Sequence, residues 1–115
     1  MINSFQGKYW FLANSYEAPV EYKGVTYRNN KEAFQAQKSI KDGNMRNRTM
    51  EMEEMRAIVY AKFSQNPELA AQLLATGEAH LEAGNTWGDD FWGTVNGIGA
   101  NYLGKILMQV RETLR

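Results

Sequence analysis

The chain has 115 residues, enough for one hydrophobic core, which predicts a single domain over residues 1–115. Its 13 basic and 13 acidic side chains cancel, so no bulk charge favours a nucleic acid or a membrane surface as partner. The sequence has no Cys, one His and no long apolar run, which excludes disulfides, a zinc site and a membrane-spanning segment. The N-terminus lacks a signal-peptide pattern, so we expect a cytoplasmic protein, with no cofactor and no metal.

The N-terminal part predicts a small β element. Residues 5–13 (FQGKYWFLA) are rich in aromatic residues, which favours an extended segment. The stretch PVEYKGVTY, residues 19–27, predicts a β-hairpin, because apolar and polar residues alternate on both sides of a Lys-Gly turn.

Capping residues and apolar spacing predict three helices in the middle of the chain. The first runs from about Lys31 to Lys41, with Asn29 or Asn30 as its N-cap, and is broken by Asp42-Gly43-Asn44. The second begins near Thr49. The third has Asn66 as its N-cap, Pro67 at its first position and Gly77 as its left-handed C-cap. The predicted inward faces are Ala33, Phe34, Gln37 and Ile40 on the first helix, Met52, Met55, Ile58, Val59 and Phe63 on the second, and Leu69, Leu73 and Leu74 on the third.

The C-terminal stretch TWGDDFWGTVNGIGANYLGKILMQVR, Thr86 to Arg111, carries the features that suggest a site. Its first half combines glycines, two tryptophans and the adjacent Asp89 and Asp90, and its second half predicts an amphipathic helix. Loops of this composition are seldom kept only as connections. The apolar face of the helix is predicted at Leu103, Ile106, Leu107, Val110 and Leu114, and the whole fold is predicted to be mainly α with a small N-terminal β element.

The sequence shows no nucleophile beside a base and no phosphate-binding loop. Carboxylates beside aromatic residues and glycines are suited to stabilising an oxocarbenium-like sugar centre, to activating water and to stacking a base. This chemistry favours a nucleotide or nucleoside ligand. One alternative is a protein-interaction module in which Trp87, Trp92 and Phe91 form an exposed patch; another is that the aromatic residues only fill the core.

Four blocks of sequence resemble the NADAR (YbiA-like) family in the same order along the chain. They are FLANSYEAPVEYKGVTY, AFQAQK, YAKFSQNPELAAQLLATG and GDDFWG with GIGANYLGKILMQVR. The resemblance covers nearly the full length and implies the fold of that family. It also implies N-glycosidase activity on ribosylated nitrogen compounds, either riboflavin-biosynthesis intermediates or guanine bases of nucleic acid that carry ADP-ribose. The implied partners are ADP-ribose or a ribosyl nucleotide, and ADP-ribosylated nucleic acid.

The same resemblance implies which residues form the site. Asp89 would orient a ribose hydroxyl or a water, Trp92 would stack on or wall the base or ribose, and Asn101 would bind the ligand or cap its own helix. Gly104 matches the family's N-x-L-G element. The ligand-binding residues predicted together are Asn14, Lys31, Gln35, Lys38, Asp90, Trp92, Gly93 and Asn101.

The chain departs from the family pattern at two places. The family carries a catalytic Glu four residues before the Gln of its QAxK element, where this chain has Lys31, followed by Glu32. A lysine opposes the positive charge that a carboxylate would stabilise. The link SIKDGNMRNRT is also shorter than the corresponding family segment, which bears on substrate scope.

Two outcomes for catalysis follow from these departures. In the first, Glu32 and Asp89 are the catalytic residues, with Asp90 as a substitute for Glu32, and the protein is an active N-glycosidase. In the second, the protein is inactive and binds or sequesters ADP-ribose or another nucleotide. The sequence favours the first, because most of the motif set is present.

Overall fold

The computed structural model describes residues 1–40 and 47–115. Over these residues the chain forms one 3₁₀ helix, a two-stranded antiparallel sheet and four α-helices, which confirms the predicted mainly α fold with a small N-terminal β element. No helix within these two ranges is long and apolar enough to cross a membrane. The elements in chain order are the 3₁₀ helix Gly7–Leu12, β1 Val20–Tyr22, β2 Val25–Tyr27, α1 Asn30–Ile40, α2 Arg48–Gln65, α3 Pro67–Ala75 and α4 Tyr102–Leu114.

The hairpin is confirmed in the predicted register. Val20 pairs with Tyr27 and Tyr22 pairs with Val25. Between the strands, Lys23 and Gly24 both have positive φ, at 53° and 83°. Two central residues with positive φ match the twist of the flanking strands, which is why this Lys-Gly pair closes the hairpin.

The predicted helix starts are confirmed, with one change in mechanism. Asn29 caps α1, since its Oδ1 accepts the N–H of Glu32 at 2.9 Å. Pro67 opens α3 as predicted, but the Asn66 side chain makes no cap bond and instead donates to the carbonyls of Pro19 and Lys62. The predicted break of the first helix at residues 42–44 lies outside the described residues.

The prediction of an extended segment over residues 5–13 is wrong, because residues 7–12 form the 3₁₀ helix. Gly7 turns the chain at a φ of +59°, and the winding buries Phe11 and Leu12 while Trp10 remains exposed. Aromatic content favours strands only where a sheet is available to receive them. Here β1 pairs with β2, and the segment packs on the helices instead.

Helix α2 is the centre of the hydrophobic core and packs against α1, α3, α4 and β1. Ile58 and Phe63 are fully buried on its inner side, where they meet the apolar face of α4, represented by Leu107 and Val110. The predicted stripes of α2 and α4 are therefore the inward faces.

Three charged side chains are buried among the described residues, Glu54, Lys62 and Arg111, and Lys62 is the least exposed of them. Lys62 of α2 is 1% exposed, and its Nζ donates to the carbonyl of Phe11 at 2.6 Å and to that of Ala13 at 2.9 Å. Burial lowers the pKa of Lys62 from 10.5 to about 7, because a desolvated ammonium is less stable than one in water. The end of the 3₁₀ helix is thus attached to the core helix through a lysine side chain.

We predict that the free energy of unfolding rises with pH between about 7 and 10.5 on account of Lys62. In this interval the unfolded chain keeps the Lys62 proton, with its ordinary pKa of 10.5, whereas the folded chain has lost it. Stability rises with pH wherever the unfolded state binds more protons, here by up to about 1.4 kcal/mol per pH unit. Urea denaturation at a series of pH values measures this slope.

The variant Lys62→Met should remove this contribution to the slope, while Lys105→Met, at an exposed lysine of α4, should keep it. Parallel pH profiles for wild type and Lys62→Met would show that the Lys62 pKa is not lowered.

Candidate functional site

A cleft of about 500 Å³ is bounded by the N-terminal segment, residues 5–15, by the start of α1, by residues 83–85 and by the glycine-rich loop that follows them, residues 86–100. Such a volume is typical of small-molecule sites. A second cleft, of about 660 Å³ and lined mostly by polar residues, shares Gln6, Gly84 and Asn85 with the first. The polar and aromatic residues that line the first cleft include Trp10, Asn14, Lys31, Asn85, Trp87, Asp89 and Trp92.

Asn14 joins the N-terminal wall to the start of α1. Its carbonyl accepts the N–H of Lys31 at 3.0 Å, and its Oδ1 accepts the side-chain amide of Asn30 at 3.3 Å. Its Nδ2 contacts the Met55 sulfur at 3.5 Å. Because the side chain is bonded within the protein, Asn14 shapes the cleft and sets Lys31 at its edge.

Asp89 is held by hydrogen bonds to residues that precede it and follow it in the chain. Its Oδ1 accepts the N–H groups of Phe91 at 3.1 Å and Trp92 at 3.0 Å. The side chain of Asn85 accepts the N–H of Asp89 at 3.0 Å and donates to its carbonyl at 2.8 Å. Within the described chain, Asp89 Oδ2 makes no hydrogen bond or ion pair. One carboxylate oxygen of this cleft residue therefore orders the loop.

Trp92 forms a wall of the cleft and is supported by two aromatic rings. Phe34 and Phe91 approach it edge-on, with centroid distances of 5.7 and 4.8 Å. The next residue is Gly93, where a Cβ would lie 2.0 Å from the carbonyl oxygen of Ala83. Only glycine therefore allows the backbone at position 93 to come this close to Ala83. Trp92 is therefore half-buried: it packs against other rings and also lines the cleft. It does not belong to a fully exposed aromatic patch.

Lys31 and Glu32 are both predicted for the site, but only Lys31 lies at the cleft. Lys31 lines the cleft, whereas Glu32 does not, and its carboxylate pairs with the Arg28 guanidinium on the exposed side of the helix. Successive residues differ by about 100° around a helix, so the two side chains cannot face the same way. Glu32, which the sequence predicts as catalytic, is therefore not brought to the cleft, and Asp89 is.

Three further predicted residues also lie elsewhere. Gln35, Lys38 and Asp90 do not line this cleft. Lys38 forms an ion pair with Glu51 of α2 at 3.6 Å. Of the predicted site residues, the structure brings together Asn14, Lys31, Asp89, Trp92 and Gly93.

Asn101 neither lines this cleft nor makes a side-chain cap bond to its helix. It is buried, and its Oδ1 accepts the N–H of Ala83 at 2.9 Å while its Nδ2 donates to the carbonyl of Leu81 at 3.0 Å. Its backbone has a φ of 54°, which Asn tolerates better than most residues. Asn101 thus clips the start of α4 to the segment that carries the cleft wall.

Three cleft or support residues were missed by the sequence analysis. Asn85 had a signal, since an Asn side chain in a loop often bonds the backbone two residues further on, as Asn85 does with Trp87. Lys62 also had one, because it is four residues after Ile58 and three after Val59, on the predicted apolar face of α2. Trp10 had no signal, because its place in the cleft depends on the 3₁₀ helix.

Comparisons with known proteins give one family. A family model described as the NADAR domain matches residues 44–115. A riboflavin biosynthesis protein of Vibrio vulnificus is 34% identical over 132 aligned positions, covering 91% of this chain and 35% of that protein. The N-glycosidase YbiA of Shigella boydii is 49% identical over 61 residues, covering 52% of this chain and 38% of that protein.

The fold agrees with these matches. The NMR structure of the Escherichia coli protein YbiA aligns with a TM-score of 0.80 at 28% identity, covering 99% of this chain and 86% of that chain. The chain spans 35% and 38% of the two curated relatives named above. The alignment with the Vibrio vulnificus protein has 132 positions and this chain has 115 residues, so the alignment contains gaps in this chain. That the missing residues belong to the link after AFQAQK stays a prediction.

We predict that Asn101→Gly lowers the free energy of unfolding by about 2 kcal/mol or more, because it leaves the Ala83 N–H and the Leu81 carbonyl without partners. Glycine accepts the φ of 54°, so the backbone conformation itself is not penalised. The matched control is Asn96→Gly, since Asn96 has the same φ of 54° but is exposed. Urea denaturation of both variants separates the side-chain bonds from the backbone effect, and equal losses would contradict the clip.

Proposed function

We propose that this chain, which belongs to the NADAR family, is an N-glycosidase that hydrolyses a bond between a ribose carbon and a nitrogen. Two lines of support meet here. Relatives of the chain are named N-glycosidases, and the alignment with one of them, at 49% identity, covers about half of this chain. The cleft independently carries a carboxylate beside an aromatic wall.

The observation that carries the proposal is the carboxylate of Asp89, which lines the cleft and has only its Oδ1 bonded to other described residues. When the carbon–nitrogen bond breaks, positive charge develops at the anomeric carbon, and a nearby carboxylate stabilises it. Water then adds its oxygen to that carbon and passes a proton to Asp89, while the leaving nitrogen takes a proton from solvent. The two loop N–H groups on Oδ1 keep the carboxylate oriented during these steps.

The substrates we propose are guanine bases of nucleic acid that carry ADP-ribose, and ribosyl intermediates of riboflavin synthesis. Lys31 supplies a cation at the cleft for a ligand phosphate. The adjoining second cleft provides space for a ligand longer than a mononucleotide. The cysteine-free sequence fits action in a reducing cytoplasm.

A second function, binding or sequestration of a nucleotide without hydrolysis, is favoured by Lys31. An ammonium at the position of the family's catalytic Glu opposes a cationic transition state, and loss of one such stabiliser slows a reaction by about 10²–10³. The protein-interaction alternative has less support, because Trp92 is packed among other rings in a concave site.

We predict that ADP-ribose raises the melting temperature in a concentration-dependent manner, since a ligand that binds only the folded state stabilises it by mass action. The variant Lys31→Ala should weaken this shift by removing the cation, and Lys38→Ala, outside the cleft, should leave it unchanged. A thermal-shift titration to millimolar ligand measures both. No shift for wild type would contradict a nucleotide site.

For catalysis, we predict that Asp89→Asn lowers the hydrolysis rate by about 10²–10³ while the fold is preserved. Asparagine keeps an Oδ1 acceptor for the two loop N–H groups and removes only the charge. Glu32→Gln and Asp90→Asn should change the rate little, because neither side chain lines the cleft. Release of free base from ADP-ribosylated guanine nucleic acid and from riboflavin-pathway intermediates measures the rate.

The variant Lys31→Glu separates the two proposed functions. If the wild type hydrolyses the substrate, and Lys31→Glu hydrolyses it at a similar or higher rate, the result supports the glycosidase. Activity in Lys31→Glu that wild type lacks supports the binding protein instead.

A further inference from the structure

Two tryptophans at the cleft expose large aromatic surfaces. Trp10 is 46% exposed and Trp87 is 72% exposed. Among the exposed large apolar side chains in the described part of the chain, these two are the ones that line the cleft with Lys31. Apolar surface is normally removed from water on folding, so its concentration at one concave site indicates a surface that a ligand covers.

The two indoles come from distant parts of the chain and are supported differently. Trp10 belongs to the 3₁₀ helix, and Tyr16 meets its ring edge-on at 5.0 Å. Trp87 belongs to the glycine-rich loop; its backbone N–H donates to Asn85 at 3.3 Å, and its ring has no aromatic partner in the described residues. Folding therefore brings to one cleft a ring that packs against a tyrosine and a ring that is largely exposed.

The surroundings limit what can cover these rings. Lys31 lines the same cleft, and so do the polar Asn85 and the carboxylate of Asp89. A purely apolar ligand would leave these groups desolvated and unpaired, which is unfavourable. A ligand that combines a flat aromatic ring with an anionic group satisfies both the indoles and Lys31.

We propose that Trp10 and Trp87 are the specificity-determining residues of this cleft and stack on a planar heteroaromatic ring of the ligand while Lys31 pairs with its phosphate. This inference rests on the proposed function only in using the same cleft. It restricts the substrate class to nucleotides with a flat aromatic base and disfavours ribosyl phosphates that lack one. Trp92, which is packed among other rings, is a wall, and the recognition of the base falls to the two exposed indoles.

Binding of GMP and of ribose 5-phosphate tests the inference, because the two probes differ by the base. Calorimetry on wild type should show GMP binding at least about tenfold more tightly, the size expected when a base stacks on an aromatic side chain. Trp87→Leu, which keeps an apolar side chain without a π face, should remove most of this difference. Trp87→Phe should retain part of it.

Trp10→Leu should also reduce the preference for GMP, and Ile98→Ala provides the matched control. Ile98 is 77% exposed in the same loop and lines neither cleft, so its loss should leave both affinities unchanged. Circular dichroism confirms that each variant is folded. Because Trp87 is so exposed, its replacement tests stacking even if Trp10→Leu fails to fold.

Equal binding of the two probes by wild type, binding of neither, or full retention of the preference in Trp87→Leu would overturn the inference. The hydrolysis assay is read separately. A protein that prefers GMP through Trp87 but releases no base would contradict the N-glycosidase and leave the aromatic subsite standing.

Discussion

The hydrogen bonds of the buried Lys62 Nζ are the interactions on which the N-terminal half of the cleft depends. Lys62 lies in the core helix α2 and binds the carbonyls of Phe11 and Ala13. A charge can be buried only where polar partners receive it, so the lysine restricts the path that the N-terminal segment can take. That path carries Trp10 and Asn14 to the cleft. The Lys62 side chain therefore links the stability of the core to the geometry of the cleft. The burial of Lys62 that this link requires also lowers its pKa.

The other side of the cleft depends on two asparagines, whose side chains bond backbone groups outside the regular helices and strands. Asn101 joins α4 to the segment around Ala83, and Asn85 closes the turn that presents Asp89. An amide side chain offers both a donor and an acceptor, so it can satisfy two unpaired backbone groups at once. Gly93 completes the arrangement by allowing two backbone segments to approach more closely than any Cβ permits. A rigid carboxylate results without a strand or helix beneath it, and preorganised charge is what stabilisation of a developing cation needs.

The cleft combines features that act in opposite directions on a glycosidic reaction. Asp89 and Lys31 both line the cleft; in the proposed function Asp89 would stabilise positive charge at the sugar, and Lys31 would attract the negative charge of a phosphate. Both are useful if the ligand is a nucleotide, because its phosphate then neutralises the lysine. The NADAR match establishes the family of the chain, and the likeness to YbiA establishes its fold. The chain covers 35% and 38% of the length of two curated relatives, so the proposed activity rests on the residues of its own cleft.

Elements whose signals are local could be predicted before the fold was known. The Lys23-Gly24 turn, the cap at Asn29 and the apolar face of α4 were predicted from neighbouring residues, because turn angles, caps and helical periodicity act over a few positions. The family could also be recognised, since its motifs are contiguous. Tertiary structure alone decided the conformation of residues 7–12 and the partners of Asn101, which are set by segments distant in sequence. It likewise decided whether Lys31 or Glu32 faces the cleft. Helical spacing separates the two side chains but leaves their absolute direction open until the helix is packed against Asn14.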